Sequence, residues 1–359
     1  MKRITLLIFS AFIFFNLSFG ERMKLNGICY DLDLSTMTAT VRNSAFCQEY
    51  NDYNSLYGSV IIPEVVTFLG KNFEVIEIYD RAFLNNKTIT SISLPRTLKR
   101  IGFMAFDGCE SLESVKTNNM TLSELEESVF KNCSSLRSID LSFLIDRVPK
   151  QMFSGCWSLQ KVKIPAQVKV IEESAFQCCF DLKEIDFGPS VTEIGKDAFC
   201  GCGFTSIEIP NTVTSMIGEC FRDCDNLVKI KFPDSLKYAG GCSNCKKLVE
   251  IEFPKNAIGV GGFENCVSLT RVILPSTVEY VGTFAGCTNL TYIYLGESLK
   301  TVGDYAFSRC TGLTSITLPA TVKEIGKGAF YNCRFLSKID FLGNEFPTIG
   351  ENAFEGCRL

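Results

Sequence analysis

Eighteen cysteines and no histidine bound the chemistry open to this chain. Without histidine no Ser-His or Cys-His pair can form, and such pairs supply the base that activates many nucleophiles. Cysteines could form bridges or hold a metal, but there is no pair of local C-x-x-C knuckles. The stretch "CSNC" at Cys242 to Cys245 has the spacing of one knuckle, yet both of its cysteines fall in recurring positions of the chain. Glycoside hydrolysis needs two carboxylates facing each other across a groove. Here the carboxylates are scattered at positions expected to face solvent, Glu193 and Glu324 among them. No glycine-rich phosphate loop precedes a helical pattern. These residues argue for a non-enzymatic protein with no cofactor and no metal.

The spacing of the cysteines reveals the element that positions them. Phe83, Phe106, Phe130, Phe153, Phe176, Phe199 and Phe221 lie 22 to 24 residues apart. Phe263, Phe284, Phe307, Phe330 and Phe354 continue the series, with Cys242 in the phenylalanine slot between Phe221 and Phe263. A cysteine follows three residues after every slot except the first, where Asn86 stands. Thirteen copies at a nearly fixed period predict a solenoid. The alternation in Ile-x-Leu is that of a strand with one buried face. Pro95, Pro165, Pro210, Pro275 and Pro319 end that strand, because proline cannot donate to a ladder. A second short extended stretch, such as "VKEIG", and a glycine turn follow before Ala-Phe plugs the core. One copy alone cannot bury its apolar face. Stacked at ~4.8 Å between strands, every phenylalanine gains a neighbour above and below.

The first residues read differently. Lys2 and Arg3 precede the apolar run "ITLLIFSAFIFFNLSF", and Ser18 and Gly20 place small residues before Glu21. This is the pattern of a secretory signal peptide over residues 1–20; an uncleaved membrane anchor is the alternative. No later window is apolar over the ~20 residues a membrane helix needs, so a soluble, exported product is expected. Removing Lys2 and Arg3 from the 36 basic residues leaves 34 against 40 acidic ones. A mildly acidic surface argues against nucleic acid, whose phosphates are bound by basic contacts.

The phrase "IGxxAFxxCxxLxxIxLP", in copies such as "IGKGAFYNCRFLSKIDF" and "VGDYAFSRCTGLTSITLP", resembles that of the BspA-like leucine-rich repeat family, also called the Treponema pallidum type. The resemblance covers about residues 60 to 357. It implies surface or secreted proteins of mucosal bacteria and parasitic protists that attach to host cells, matrix proteins or other microbes. It does not identify a ligand. "NGICYDLDLSTMTATV" and the segments after it look like the β-rich cap of such proteins. Two departures stand out. Copies around Cys242, Phe263 and Phe284 shrink to about 21 residues, and the sequence stops inside a repeat. The expected fold is mainly β: a small β-rich cap over 21–62, then a leucine-rich repeat solenoid of about 13 turns over 63–359.

Twelve of the cysteines occupy one slot per turn and should stack in a line, pointing inward. A strand spacing exceeds the ~3.8 Å that separates disulfide Cβ atoms, so they are expected to be free, inert thiols. Cys29 and Cys47 flank a hairpin of the cap and are expected to pair, a staple worth ~2–4 kcal/mol. Cys178, Cys200, Cys220 and Cys242 fall in four consecutive turns. They either pair between adjacent turns, as Cys178–Cys200 and Cys220–Cys242, or serve as small core residues.

The outward residue of each Ile-x-Leu strand carries more functional information. The column runs Ser93, Lys116, Asp140, Lys163, Asp186, Glu208, Lys231, Glu252, Ile273, Tyr294, Thr317, Asp340. Alternating charges in the middle should pair with each other. Then Ile273 and Tyr294, flanked by Arg271, Tyr292 and Thr317, form an apolar and aromatic patch with one arginine. Tyrosine and arginine are enriched at binding hot spots, so this is a candidate contact for a protein partner; strand propensity for Ile and Tyr explains the patch equally well. Sequons at Asn86, Asn119, Asn132 and Asn289 are candidate glycosylation sites, with Asn132, beside a core cysteine, expected to be too buried to modify. The resulting expectation is an adhesin-like protein, secreted or surface-associated, with a protein or cell-surface ligand. The alternatives are a structural coat protein that self-associates through exposed strand edges, and an inhibitor or carbohydrate-binding module.

Overall fold

A computed structural model describes residues 21–43 and 56–359 of the chain. The expected signal segment, residues 1–20, lies outside the described residues. Among them every regular element is a strand, and the strands wind into a solenoid of about twelve turns.

The N-terminal part is an antiparallel meander of β1 (Glu21–Leu25), β2 (Ile28–Asp33) and β3 (Thr38–Arg42). Its buried face carries Ile28, Tyr30, Leu32, Ala39 and Val41, an alternation that matches a strand with one wet side. β3 then pairs in parallel with a later strand, Lys71–Ile78, so the meander continues directly into one wall of the solenoid. On the other wall Gly58–Ile61 already pairs with Ile89–Ser93, so stacking begins before residue 63.

Each turn crosses two walls of parallel strands. The first holds the Ile-x-Leu segments, such as Lys161–Lys163 on Glu184–Asp186. The second holds two-residue strands, such as Val170–Ile171 on Glu193–Ile194. Between them the proline carbonyl accepts the N–H three residues on, as Val168 to Pro165 at 3.1 Å and Val213 to Pro210 at 3.0 Å. Proline ends the first strand and its carbonyl closes the corner into the second.

A third wall has no regular strand but is bonded from turn to turn as well. Phe106 N–H donates to Val129 O and Gly108 N–H to Lys131 O, both at 2.9 Å. This wall is kept in place by two left-handed corners, one on each side of the phenylalanine. Two residues before it stand Met104, Ser128 and Ser174, with φ of 54°, 58° and 55°. Two residues after it stand Gly108, Asn132 and Asn332, with φ of 73°, 56° and 60°. Gly and Asn are the residues that tolerate this region most readily. At Gly155 a Cβ would also come within 2.6 Å of Asn132 Oδ1 in the preceding turn.

The core is a column of phenylalanine rings. From Phe83 to Phe221 neighbouring ring centroids lie 5.0–5.9 Å apart with planes within 10°. The column resumes from Phe263 to Phe354. Cys242 breaks it, and next to the break Phe232 and Phe253 of the first wall pack T-shaped on Phe263, at 6.4 and 5.9 Å, as Phe187 and Phe204 do on Phe199.

The junction between meander and solenoid carries a charge cluster. Arg100 reaches Glu77 at 2.8 Å, Asp80 at 3.0 Å, Glu126 at 3.2 Å and Glu124 at 3.3 Å, while Glu77 also accepts the Thr40 hydroxyl from β3.

Candidate functional surface

The twelve in-line cysteines are free thiols, and their role is visible in their bonds. Each Sγ donates to the carbonyl of the phenylalanine slot one turn earlier, at 2.9–3.3 Å. A small apolar side chain with a weak donor suits this slot. Burial pushes the thiols of Cys109, Cys287 and Cys333 up to about 12. Thiols held protonated in this way are poorly suited to nucleophilic attack; Cys245 goes the other way, its pKa lowered to about 5 by hydrogen bonds from Cys224 and Cys242.

The other six separate into two groups. Cys29 is disulfide-bonded, and Cys47, its expected partner, lies outside the described residues. Cys178, Cys200, Cys220 and Cys242 are free, so of the two alternatives the structure has no pairing between adjacent turns and leaves the reading as small residues of the repeat. The reason is that the members of each pair occupy different slots. Cys178 sits in the left-handed corner, with φ of 58°. Cys200 follows its phenylalanine directly and faces Asp223. Cys220 fills an alanine slot with Sγ toward the carbonyls of Ile217 and Gly195, and Cys242 fills a phenylalanine slot. Among the described residues no group of three or more Cys, Asp or Glu is placed to hold a metal ion.

Some outward charges of the first wall pair across turns, though among the described residues no ion pair involves Lys116, Asp140, Lys163 or Asp186 of the column expected to pair. Lys231 bonds Glu208 at 2.5 Å, Lys229 bonds Glu250 and Glu252 at 2.7 and 2.5 Å, and Lys161 bonds Glu184 at 2.6 Å. The pairs therefore involve both outward residues of each strand, not the central column alone. All are solvent-exposed and contribute little each. Their effect is to leave this stretch of the face with its charges matched.

Beyond Glu252 the face changes. Arg271–Ile273 pairs in register with Tyr292–Tyr294, setting Arg271 beside Tyr292 and Ile273 beside Tyr294. The Arg271 guanidinium lies 4.8 Å from the Tyr292 ring centroid, a cation–π stack. Ile273, Tyr292 and Tyr294 remain 51 %, 48 % and 39 % exposed. Thr317 stands at the margin, on Ser315–Leu318, which starts a separate ladder with Lys338–Phe341.

Other exposed aromatics were not singled out from the sequence. Trp157 and Phe180 stand on adjacent turns with centroids 6.2 Å apart. Each directly follows a core cysteine, and that position would have flagged them. Tyr238 and Tyr280 stand on the second wall. Of the sequons, Asn119 and Asn289 are exposed. The Asn86 side-chain oxygen, Oδ1, accepts the Thr88 and Ile89 N–H groups, and the residue is half-buried. Asn132 is exposed, against expectation, because its left-handed corner turns it outward; its amide donates to Asp107.

Among the described residues no helix is long and apolar enough to cross a membrane. A search of curated proteins finds no match. Among solved structures, a leucine-rich repeat protein from Bacteroides ovatus shares 27% identity and a TM-score of 0.60, covering 94% of this chain and 93% of its own. A leucine rich cell surface protein from Faecalibacterium prausnitzii has 23% identity and a TM-score of 0.52 over 90% of this chain and 96% of that one. The pneumococcal vaccine antigen PcpA has 20% identity and a TM-score of 0.55, over 93% and 86%. The last two likenesses concern the fold alone. The profile of the BspA type leucine rich repeat region, a unit of six copies, matches residues 76–205, 192–283 and 256–359. With that match and two walls of stacked strands built on its phrase, the chain belongs to the BspA-type leucine-rich repeat family.

Proposed function

We propose that this protein is a non-enzymatic, adhesin-like binding protein, secreted or held at a cell surface. It recognises a protein partner on a host cell, in matrix or on another microbe. The contact is the patch of Arg271, Ile273, Tyr292 and Tyr294, with Thr317 at its edge. The carrying observation is the switch along the first wall, from one ladder to the next, from cross-paired charges to exposed isoleucine, tyrosine and stacked arginine. Residues of this kind form the desolvated centre of interfaces, while a face of matched charges offers a partner little to gain. Family membership supports a protein-binding scaffold, and the surface-protein description of the Faecalibacterium structure supports an extracellular setting.

The test is saturable binding of labelled residues 21–359 to epithelial cells, purified matrix proteins and intact microbes. Binding to one of these should be competed by unlabelled protein. It should weaken at least tenfold in a Tyr292→Ala, Tyr294→Ala double variant that melts like the parent. Undiminished binding by the double variant would remove the patch from the proposal, and absence of binding to every target would remove the adhesin reading.

A further inference from the structure

Several departures from the repeat converge on one place in the second wall. The turns from Phe221 to Phe284 are each 21 residues long, and they lack the left-handed residue two before the phenylalanine slot. Glycines crowd there instead, Gly240, Gly241, Gly259, Gly261 and Gly262 among them. Tyr238, Gly259 and Tyr280 occupy three successive rungs in register.

The glycines allow the tyrosines to lie down. A Cβ at Gly259 would stand 2.7 Å from Tyr238 Cδ1 and 3.8 Å from Tyr280 Cδ1. Tyr280 continues across its own strand, with Cε1 3.4 Å from the Cβ position of Gly282, and its hydroxyl is 2.5 Å from that of Gly303. Both rings thus rest on backbone while 69 % of Tyr238 and 45 % of Tyr280 stay exposed. Between them opens a cleft of about 280 Å³, at the small end of ligand sites, which run from roughly 300 to 1,000 Å³. Among the described residues that line it, Glu219 is the one charged group. One of its carboxylate oxygens accepts the Ser243 N–H at 3.2 Å, and half-burial raises its pKa.

We propose that this cleft binds one neutral sugar ring of a glycan, with Tyr238 and Tyr280 as platforms and the Glu219 carboxylate accepting a hydrogen bond from a sugar hydroxyl. The geometry selects this ligand class on three grounds. Two half-exposed tyrosine rings set against glycine backbone on either side of the cleft offer apolar surface to a C–H-bearing ring, whereas a cation is favoured over an aromatic face. A lining whose charge is a carboxylate disfavours sulfate, phosphate and sialic acid. The volume admits a ring-sized group rather than a peptide. This site lies on a different wall from the patch at Tyr292 and is independent of it.

The experiment presents residues 21–359 to an array of immobilised neutral, sialylated and sulfated glycans. Retention on at least one neutral class is expected. Tyr238→Ala and Tyr280→Ala should each weaken it at least tenfold, Glu219→Gln severalfold, and Trp157→Ala, an exposed aromatic elsewhere, not at all. Melting curves and far-UV spectra matched to the parent show that the variants are folded, and Tyr238→Phe, which keeps the platform, should retain binding. Three results each overturn the proposal: no retention on any neutral glycan, preference for acidic glycans, or unchanged affinity in both tyrosine variants.

Discussion

Cys179 Sγ donates to the Phe153 carbonyl, one turn back, at 3.2 Å. This bond, repeated along the stack, makes the cysteines part of the wall rather than of any chemistry. Thiol labelling reads it directly. At pH 8 the folded protein should react quickly with maleimide at no more than two free cysteines, the partly exposed Cys178 and Cys357, and at all sixteen after denaturation. Rapid labelling of Cys179 or Cys310 in the folded state, read by peptide mapping, would contradict the ladder.

The same burial makes stability sensitive to alkali. Folded Cys109, Cys287 and Cys333 hold their protons up to about pH 12, whereas an unfolded thiol loses its own near 8.5. Above that value the unfolded chain binds fewer protons than the folded one, so stability falls as pH rises. The contribution is complete below about pH 8.5 and drains away towards pH 12, at up to about 1.4 kcal/mol per thiol per pH unit. Urea midpoints should drop steeply between pH 8.5 and 10.5; a flat profile over that range counts against the protonated ladder.

Cys242→Phe restores the consensus and should nevertheless destabilise the protein. Cys242 is fully buried next to Phe263, on which Phe232 and Phe253 already pack, so a further ring is expected to overpack the core at a cost of about 1–3 kcal/mol. Chemical denaturation decides it, and a raised midpoint would show that the core has room for the ring.

Arg100→Met should leave Glu77, Asp80, Glu124 and Glu126 facing one another at the junction. With the arginine part-buried, a loss of about 2 kcal/mol is expected. The deficit should shrink at high salt, which screens the like charges. A deficit independent of salt would assign the loss to packing.

The phenylalanine column and the cysteine line were legible because a period of 22 to 24 residues exposes them without any knowledge of the backbone. Proline marked the end of the first strand for a similarly local reason. The left-handed corners were less accessible. After the phenylalanine they favour Gly, Asn and Asp, but before it they hold Met104, Gln151 and Tyr305, side chains with no turn preference, kept there by turn-to-turn bonding. The charge pairing was half legible. One outward residue per strand was considered, while Lys161 with Glu184 shows that both take part. Tyr238 and Tyr280 escaped notice because their prominence depends on the glycines that let the rings recline. The choice between pairing and small core residues for Cys178 and Cys200 needed the backbone: adjacency in the turn order says nothing about which slot each side chain fills.

The hydrogen bonds between turns all run along the axis of the stack, and each turn bonds chiefly its two neighbours. Tension applied along that axis loads the turns in series, so they peel off one after another instead of failing together. Each release should pay out a turn of chain, roughly 75 Å when extended, so forced extension is expected to advance in steps of about that length while the remaining turns stay folded.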